Sequence, residues 1–183
     1  MPKTRGCRNS SEPTAPQGAT DIGTPEHLAR RLAEIVTHST VIVGIGNELR
    51  GDDGAGVEIA RRLAGDVPWQ IFNAQNAPEN FLMKIVERKP QSLILVDASD
   101  FAAAPGAVRL MEADQVAGQG PSTHGPGISA FLAALRTMHP CHCVVLGIQP
   151  QGRDLAQPLS EPVSAAVEMV VKGFRHLARQ NRS

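Results

Sequence analysis

The sequence predicts an α/β fold, doubly wound, with a mostly parallel sheet and helices on both faces. Three observations predict it. From Thr40 onward, short β-rich runs alternate with helical periods: VIVGI, GVEIARRLAG, WQIFNA, ENFLMKIVER and SLILVDA follow one another, which is the βαβαβ pattern. The runs VIVGI and SLILV lack polar alternation, as strands of a parallel sheet covered on both sides do. The chain has 183 residues and 42% hydrophobic content, enough for one domain with a sizeable core and too few for two. A flavodoxin-like strand order is expected, with the first and third strands of the series flanking the point where the winding reverses.

Residues 1–23 mix Pro, Ser, Thr, Gly and Gln without a hydrophobic period. Such a stretch buries too little to offset its ordering entropy, so a disordered leader is expected there and a single domain over 24–183. Thr24 and Pro25 read as an N-cap and first helical residue, with Leu28, Leu32, Ile35 and Val36 keeping helical spacing to about His38. After SLILVDA, the segment GAVRLMEADQV alternates and reads as an edge strand. The loop GQGPSTHGPG then leads into a helix with Ile128, Phe131, Leu132, Leu135 and Met138 on one face. CHCVVLGI follows as a further parallel strand. In the last helix Ser160 is the expected cap, Pro162 lies in the first turn, and Val163, Val167, Val170, Val171, Phe174 and Leu177 form the buried stripe.

Composition excludes several functions. Lys plus Arg and Asp plus Glu number 18 each, so the broad positive field of sequence-independent nucleic-acid binding is missing. Tyr is absent and aromatics make up 3%, which leaves no stacking platform for single strands. No apolar run approaches the roughly 18 to 20 residues of a membrane span, and no signal-peptide core opens the chain. A cytoplasmic protein is expected. Three cysteines do not make a disulfide framework, and Cys141 and Cys143 lie too close along one strand to bridge comfortably.

Three segments carry chemistry. The loop GIGNELRGDDGAG, residues 44–56, lies between a buried strand and a helix. It is not a dinucleotide fingerprint, because Leu49 stands where the third glycine belongs, and no Gly-Lys-Ser or Gly-Lys-Thr makes it a phosphate loop. It ends in the pair Asp52 and Asp53; one is expected to cap the following helix and the other is available to a ligand, and the residues alone scarcely choose between them. Asp97 closes the apolar strand SLILVDA at its carboxyl end, where open α/β sheets bind ligands. Asp100, deeper in the same loop, reads as a turn former. His124 stands between Ser122-Thr123 and Gly125-Pro126-Gly127, just before an amphipathic helix; the flanking Gly and Pro set an unusual backbone path, as in an active-site loop. His27, His38 and His176 lie on or beside helices and read as surface residues. His139, Cys141 and Cys143 would face one way on a strand, but they open it at the far edge and lack the second cysteine pair of a closed zinc site.

The run GIGNELRGDDGAG, the strand end LVDASD and the segment STHGPGISAFLAAL resemble, in order and spacing, three signature segments of the nickel-iron hydrogenase maturation endopeptidases. Ala77-Pro78-Glu79-Asn80 and Leu146-Gly147-Ile148-Gln149-Pro150 look like the branch that processes the hydrogenase of formate hydrogenlyase systems. The resemblance runs from about Val41 to Val171. It implies a doubly wound fold and removal of a C-terminal extension from the hydrogenase large-subunit precursor once nickel is in place. It also implies that Asp53, Asp97 and His124 engage that nickel, which arrives with the substrate, so that no resident cofactor is expected. Only this resemblance favours Asp53 over Asp52 as the ligand, which leaves Asp52 as the expected cap of the following helix.

The residue types suit the task independently: carboxylate and imidazole hold a borderline divalent ion reversibly, where thiolates would hold it too tightly. No Ser-His-Asp or Cys-His arrangement and no HExxH appears, so the route open to such a site is a metal-polarised carbonyl or water with a carboxylate as general base. The alternative reading is a non-catalytic nickel-recognising maturation chaperone with the same three ligands. A nucleotide-binding domain is disfavoured by the missing glycine and by an acidic pair that would repel phosphate.

Overall fold

The computed structural model describes residues 19–113 and 125–181. Its sheet contains β1 (Thr20–Ile22), β2 (Thr40–Ile45), β3 (Gln70–Gln75), β4 (Ser92–Ala98), β5 (Val108–Glu112) and β6 (His142–Ile148), and the helices are α1 (Pro25–Ala33), α2 (Ala55–Leu63), α3 (Leu82–Glu87), α4 (Gly125–Met138) and α5 (Glu161–Gln180). The strands lie in the order β1-β5-β6-β4-β2-β3. β3, β2, β4 and β6 are mutually parallel, so the parallel strands alone run second, first, third, fourth, the expected flavodoxin-like arrangement. The winding reverses between β2 and β4.

Two apolar layers sandwich the sheet. On one side Ile42, Ile94, Val96, Val144 and Leu146 pack against α1, α2 and α5. On the other, Val41, Val43, Ile45, Leu93, Leu95 and Val145 pack against α3 and α4. Alternate residues of each strand feed opposite layers, which is why the central strands read as unbroken apolar runs.

The structure departs from the sequence reading at several places. The leader expected to end at about Gly23 gives way earlier, because Thr20–Ile22 pairs antiparallel with Val108–Leu110 and Ile22 is buried. Asp21 also pairs with Arg109 Nε at 2.6 Å. Three residues are too short to show a period, and β1 exists because β5 offers an open edge to pair with. β5 is accordingly not the edge strand: it lies antiparallel between β6 and β1. Thr24 does cap α1, its hydroxyl accepting from the His27 amide at 3.1 Å. That helix stops at Ala33 rather than about His38, and the Thr37 amide donates to Thr40 Oγ1 at 2.7 Å. This local hydroxyl bond competes with helical pairing and turns the chain into β2.

Candidate functional site

The loops that follow β2, β4 and β6 leave the sheet at one edge, and close packing fixes the first of them. A Cβ on Gly44 would lie 2.2 Å from the Gly56 carbonyl oxygen, and one on Gly56 would lie 2.1 Å from the Val96 oxygen and 2.3 Å from that of Ile45. The start of α2 is thereby seated on the ends of β2 and β4. Gly46 adopts φ 142°, and a Cβ there would meet the Asp53 oxygen at 1.9 Å. The Asn47 amide donates to that same Asp53 carbonyl at 3.1 Å. The loop therefore folds back on itself, with residues 51–54 as a 3-10 turn directly ahead of α2.

Asp53 is 4% exposed, and its Oδ1 has no hydrogen-bond partner among the described residues. Asp97, on the adjacent strand β4, is fully buried. The two carboxylates thus come from neighbouring loop and strand at the winding reversal, as the sequence predicts. His124 lies outside the described residues. α4 begins at the next residue, Gly125; its far end is tied to the opposite edge, where the His139 ring is 2.9 Å from the Pro90 carbonyl.

Asp52 does not do what the sequence reading expects. It is 1% exposed, and no side chain caps α2, whose N-cap is Gly54. Instead Asp52 Oδ2 accepts from the Gln151 amide at 2.8 Å, the Gly152 amide at 3.1 Å and the Ser160 hydroxyl at 2.9 Å, while Oδ1 accepts from the Ser160 amide at 2.6 Å. One buried carboxylate thus pins both ends of the loop between β6 and α5. Ser160 still occupies the N-cap position of α5, but its hydroxyl is turned to Asp52 and makes no cap bond. The Gly152 carbonyl accepts from the Asp52 amide at 3.2 Å, and the Leu49 carbonyl from the Ala156 amide at 2.8 Å, lacing the two loops together.

Two further residues belong to this edge: Gln149, which the sequence reading names only within a motif and gives no role, and Arg153, which it does not name. Gln149 is buried; its Oε1 accepts from the Phe101 and Ala103 amides at 2.9 and 3.3 Å, and its Nε2 donates to Asp100 Oδ1 at 3.1 Å. It thereby shapes the loop after Asp97. A polar residue closing an apolar strand, the same feature that singles out Asp97, marks it in the sequence. Arg153 places Nε 4.0 Å from Asp53 Oδ1 and donates through Nη2 to the Ala98 carbonyl at 3.4 Å; nothing local in the sequence announces it. Asp100 is the turn former expected, Oδ1 accepting from the Ala102 amide at 3.1 Å. The Ala102 amide, then Gln149 and the Arg153 charge, hold its carboxyl below the usual carboxylate range.

Cys141 and Cys143 lie at the opposite edge, Cys143 in register with Leu93 near the start of β4 and the two sulfurs 3.6 Å apart. A cleft of about 560 Å³ also opens there, lined by Thr40, Trp69, Gln70 and Arg88 among others and by no carboxylate. His38 also lines it, at the sheet edge opposite the buried carboxylates.

Comparisons with known proteins identify the family. The family model for HycI, hydrogenase maturation protease, matches residues 57–175, a span that takes in Asp97 and His124 and begins just after the Asp53 loop. The Hydrogenase 3 maturation protease of Escherichia coli K12 is 32% identical over 133 residues, covering 71% of this chain and 85% of that protein. The crystal structure of the HycI maturation protease of Thermococcus kodakarensis superposes with a TM-score of 0.70 at 29% identity, over 76% of this chain and 92% of that one. The solution structure of the Escherichia coli endopeptidase HycI gives 0.67 at 31% identity, over 75% and 89%. With its fold, its buried carboxylates at the winding reversal and these similarities together, the chain belongs to the hydrogenase maturation proteases and is a peptidase.

Proposed function

We propose that this chain is the endopeptidase that removes the C-terminal extension of a nickel-loaded hydrogenase large-subunit precursor, acting in the cytoplasm with Asp53, Asp97 and His124 engaging the precursor's nickel. The observation that carries the proposal is the pair of buried carboxylates at the reversal between β2 and β4, one with an oxygen lacking a hydrogen-bond partner among the described residues, in a chain of the maturation protease family. A buried carboxylate oxygen left without a donor is costly unless a ligand completes it.

The metal belongs to the substrate and needs no resident counterpart. The chain's part is to hold the precursor by its metal so that the scissile peptide is fixed beside the carboxylates, either of which can take a proton from the attacking water. Asp52 and Gln149 have no contact with substrate in this scheme; they set the loops that define the crevice.

The test is a processing assay with purified precursor, with and without nickel. Cleavage of the nickel-loaded form alone is the expected result. Asp53→Asn, Asp97→Asn and His124→Ala are each expected to lower processing by about a hundredfold or more while unfolding cooperatively, since loss of one ligand misplaces the scissile bond. Normal processing by any of the three would remove that residue from the site. Binding of the precursor without cleavage by the wild-type protein would make the chain a recognition module instead.

A further inference from the structure

We propose that Arg153 is the internal counter-cation of Asp53, and that a divalent metal engages Asp53 only by displacing the guanidinium. This rests on the metal-engaging role proposed for Asp53. Arg153 Nε lies 4.0 Å from Asp53 Oδ1, and both atoms are buried without a hydrogen-bond partner among the described residues. The same side chain reaches the Ala98 carbonyl at 3.4 Å through Nη2, so the guanidinium spans from the loop after β2 to the end of β4, one residue beyond Asp97.

At 4.0 Å the Arg153–Asp53 contact is beyond N–H···O length. It is a Coulomb attraction without a directional bond, which satisfies the charge of a buried carboxylate and leaves its lone pairs open. A divalent ion bound to Asp53 would stand beside a fixed positive charge and be repelled by it. The guanidinium has somewhere to go. Its side chain is 24% exposed, on the loop between β6 and α5, and Asp100, whose carboxyl already feels the Arg153 charge, offers a second anionic partner.

The consequence is selectivity for how the metal arrives. A free ion gains only its contact with the carboxylates and must expel Arg153 unaided. A metal carried on a docked polypeptide brings the binding energy of that polypeptide to the same exchange. Arg153 therefore keeps the crevice closed to free divalent ions while leaving it open to a metal-bearing precursor.

The experiment is a calorimetric titration of full-length protein with nickel(II) alone. Arg153→Ala is expected to bind nickel at least about tenfold more tightly than wild type, Arg153→Lys, which keeps the charge, to bind as wild type does, and Asp53→Asn combined with Arg153→Ala to lose the gain. Arg153→Gln serves in place of the alanine variant if thermal unfolding shows that one to be unfolded. Unchanged affinity on removal of the arginine charge, or a gain that persists without Asp53, would overturn the proposal. Cleavage of nickel-loaded precursor is read separately. Failure of wild type to cleave defeats the proposed activity and leaves the titration standing, whereas unchanged nickel affinity defeats the counter-cation role and leaves the activity standing.

Discussion

At the scale of single residues, the acidic pair shows how much two adjacent identical side chains can differ. Asp52 accepts four hydrogen bonds from Gln151, Gly152 and Ser160, whereas Asp53 keeps an oxygen free of hydrogen bonds among the described residues. Asp52→Ala would strand several part-buried donors and is expected to cost about 2 kcal/mol or more in chemical denaturation, against about 1 kcal/mol for a lost helix cap. A loss near the smaller figure would show that these bonds contribute little to holding the loop. At the opposite edge, the sulfur contact with Cys143 lowers the Cys141 thiol below its ordinary value, with burial opposing and the Arg136 charge assisting. Cys143→Ala removes that contact, so iodoacetamide labelling of Cys141, followed by peptide mapping, is expected to need a higher pH than in wild type. An unshifted profile would show that the sulfur contact does not govern the thiol.

At the scale of elements, the seating of α2 on β2 and β4 decides where Asp53 sits. Gly56 has backbone oxygens from two strands within 2.3 Å of where a Cβ would stand, and backbone cannot give way as a flexible side chain does. Gly56→Ala is expected to lose at least about 3 kcal/mol, read as a fall in thermal midpoint, or to fail to fold. Gly127, in the first turn of α4, meets nothing within 4 Å. There Gly127→Ala is expected to gain about 0.5 to 1 kcal/mol from helix propensity. Equal effects at the two positions would mean that close helix-strand packing is not what glycine serves at Gly56.

At the scale of the whole molecule, the edge of the sheet depends on the first described residues. Removal of residues 1–18 is expected to leave stability and processing unchanged. Removal of residues 1–23 also deletes β1, exposing β5, leaving Arg109 without Asp21 and uncovering the site of Ile22. That truncation is expected to cost about 2 kcal/mol, mostly from the lost isoleucine burial, and to raise aggregation through the open β5 edge. Identical denaturation curves for the two truncations would show that β1 adds nothing to the fold.

The sequence by itself determined the parallel core, because strands buried on both faces must be continuously apolar and the helices between them must carry a 3.6-residue stripe. It also determined that Asp97 ends a strand and that Asp53 lies in the loop after the first strand of the parallel series, and strand order then brings both to one edge. The tertiary structure alone decided the rest. Asp52 finds Ser160 across 108 residues of chain, and Arg153 meets Asp53 from a loop equally remote; such pairings leave no period or spacing in the sequence because each involves one side chain meeting a distant backbone or charge. β1 is of the same kind. Three residues carry too little pattern to be read, and they become a strand only because the folded sheet presents an edge with unpaired donors and acceptors for them to join.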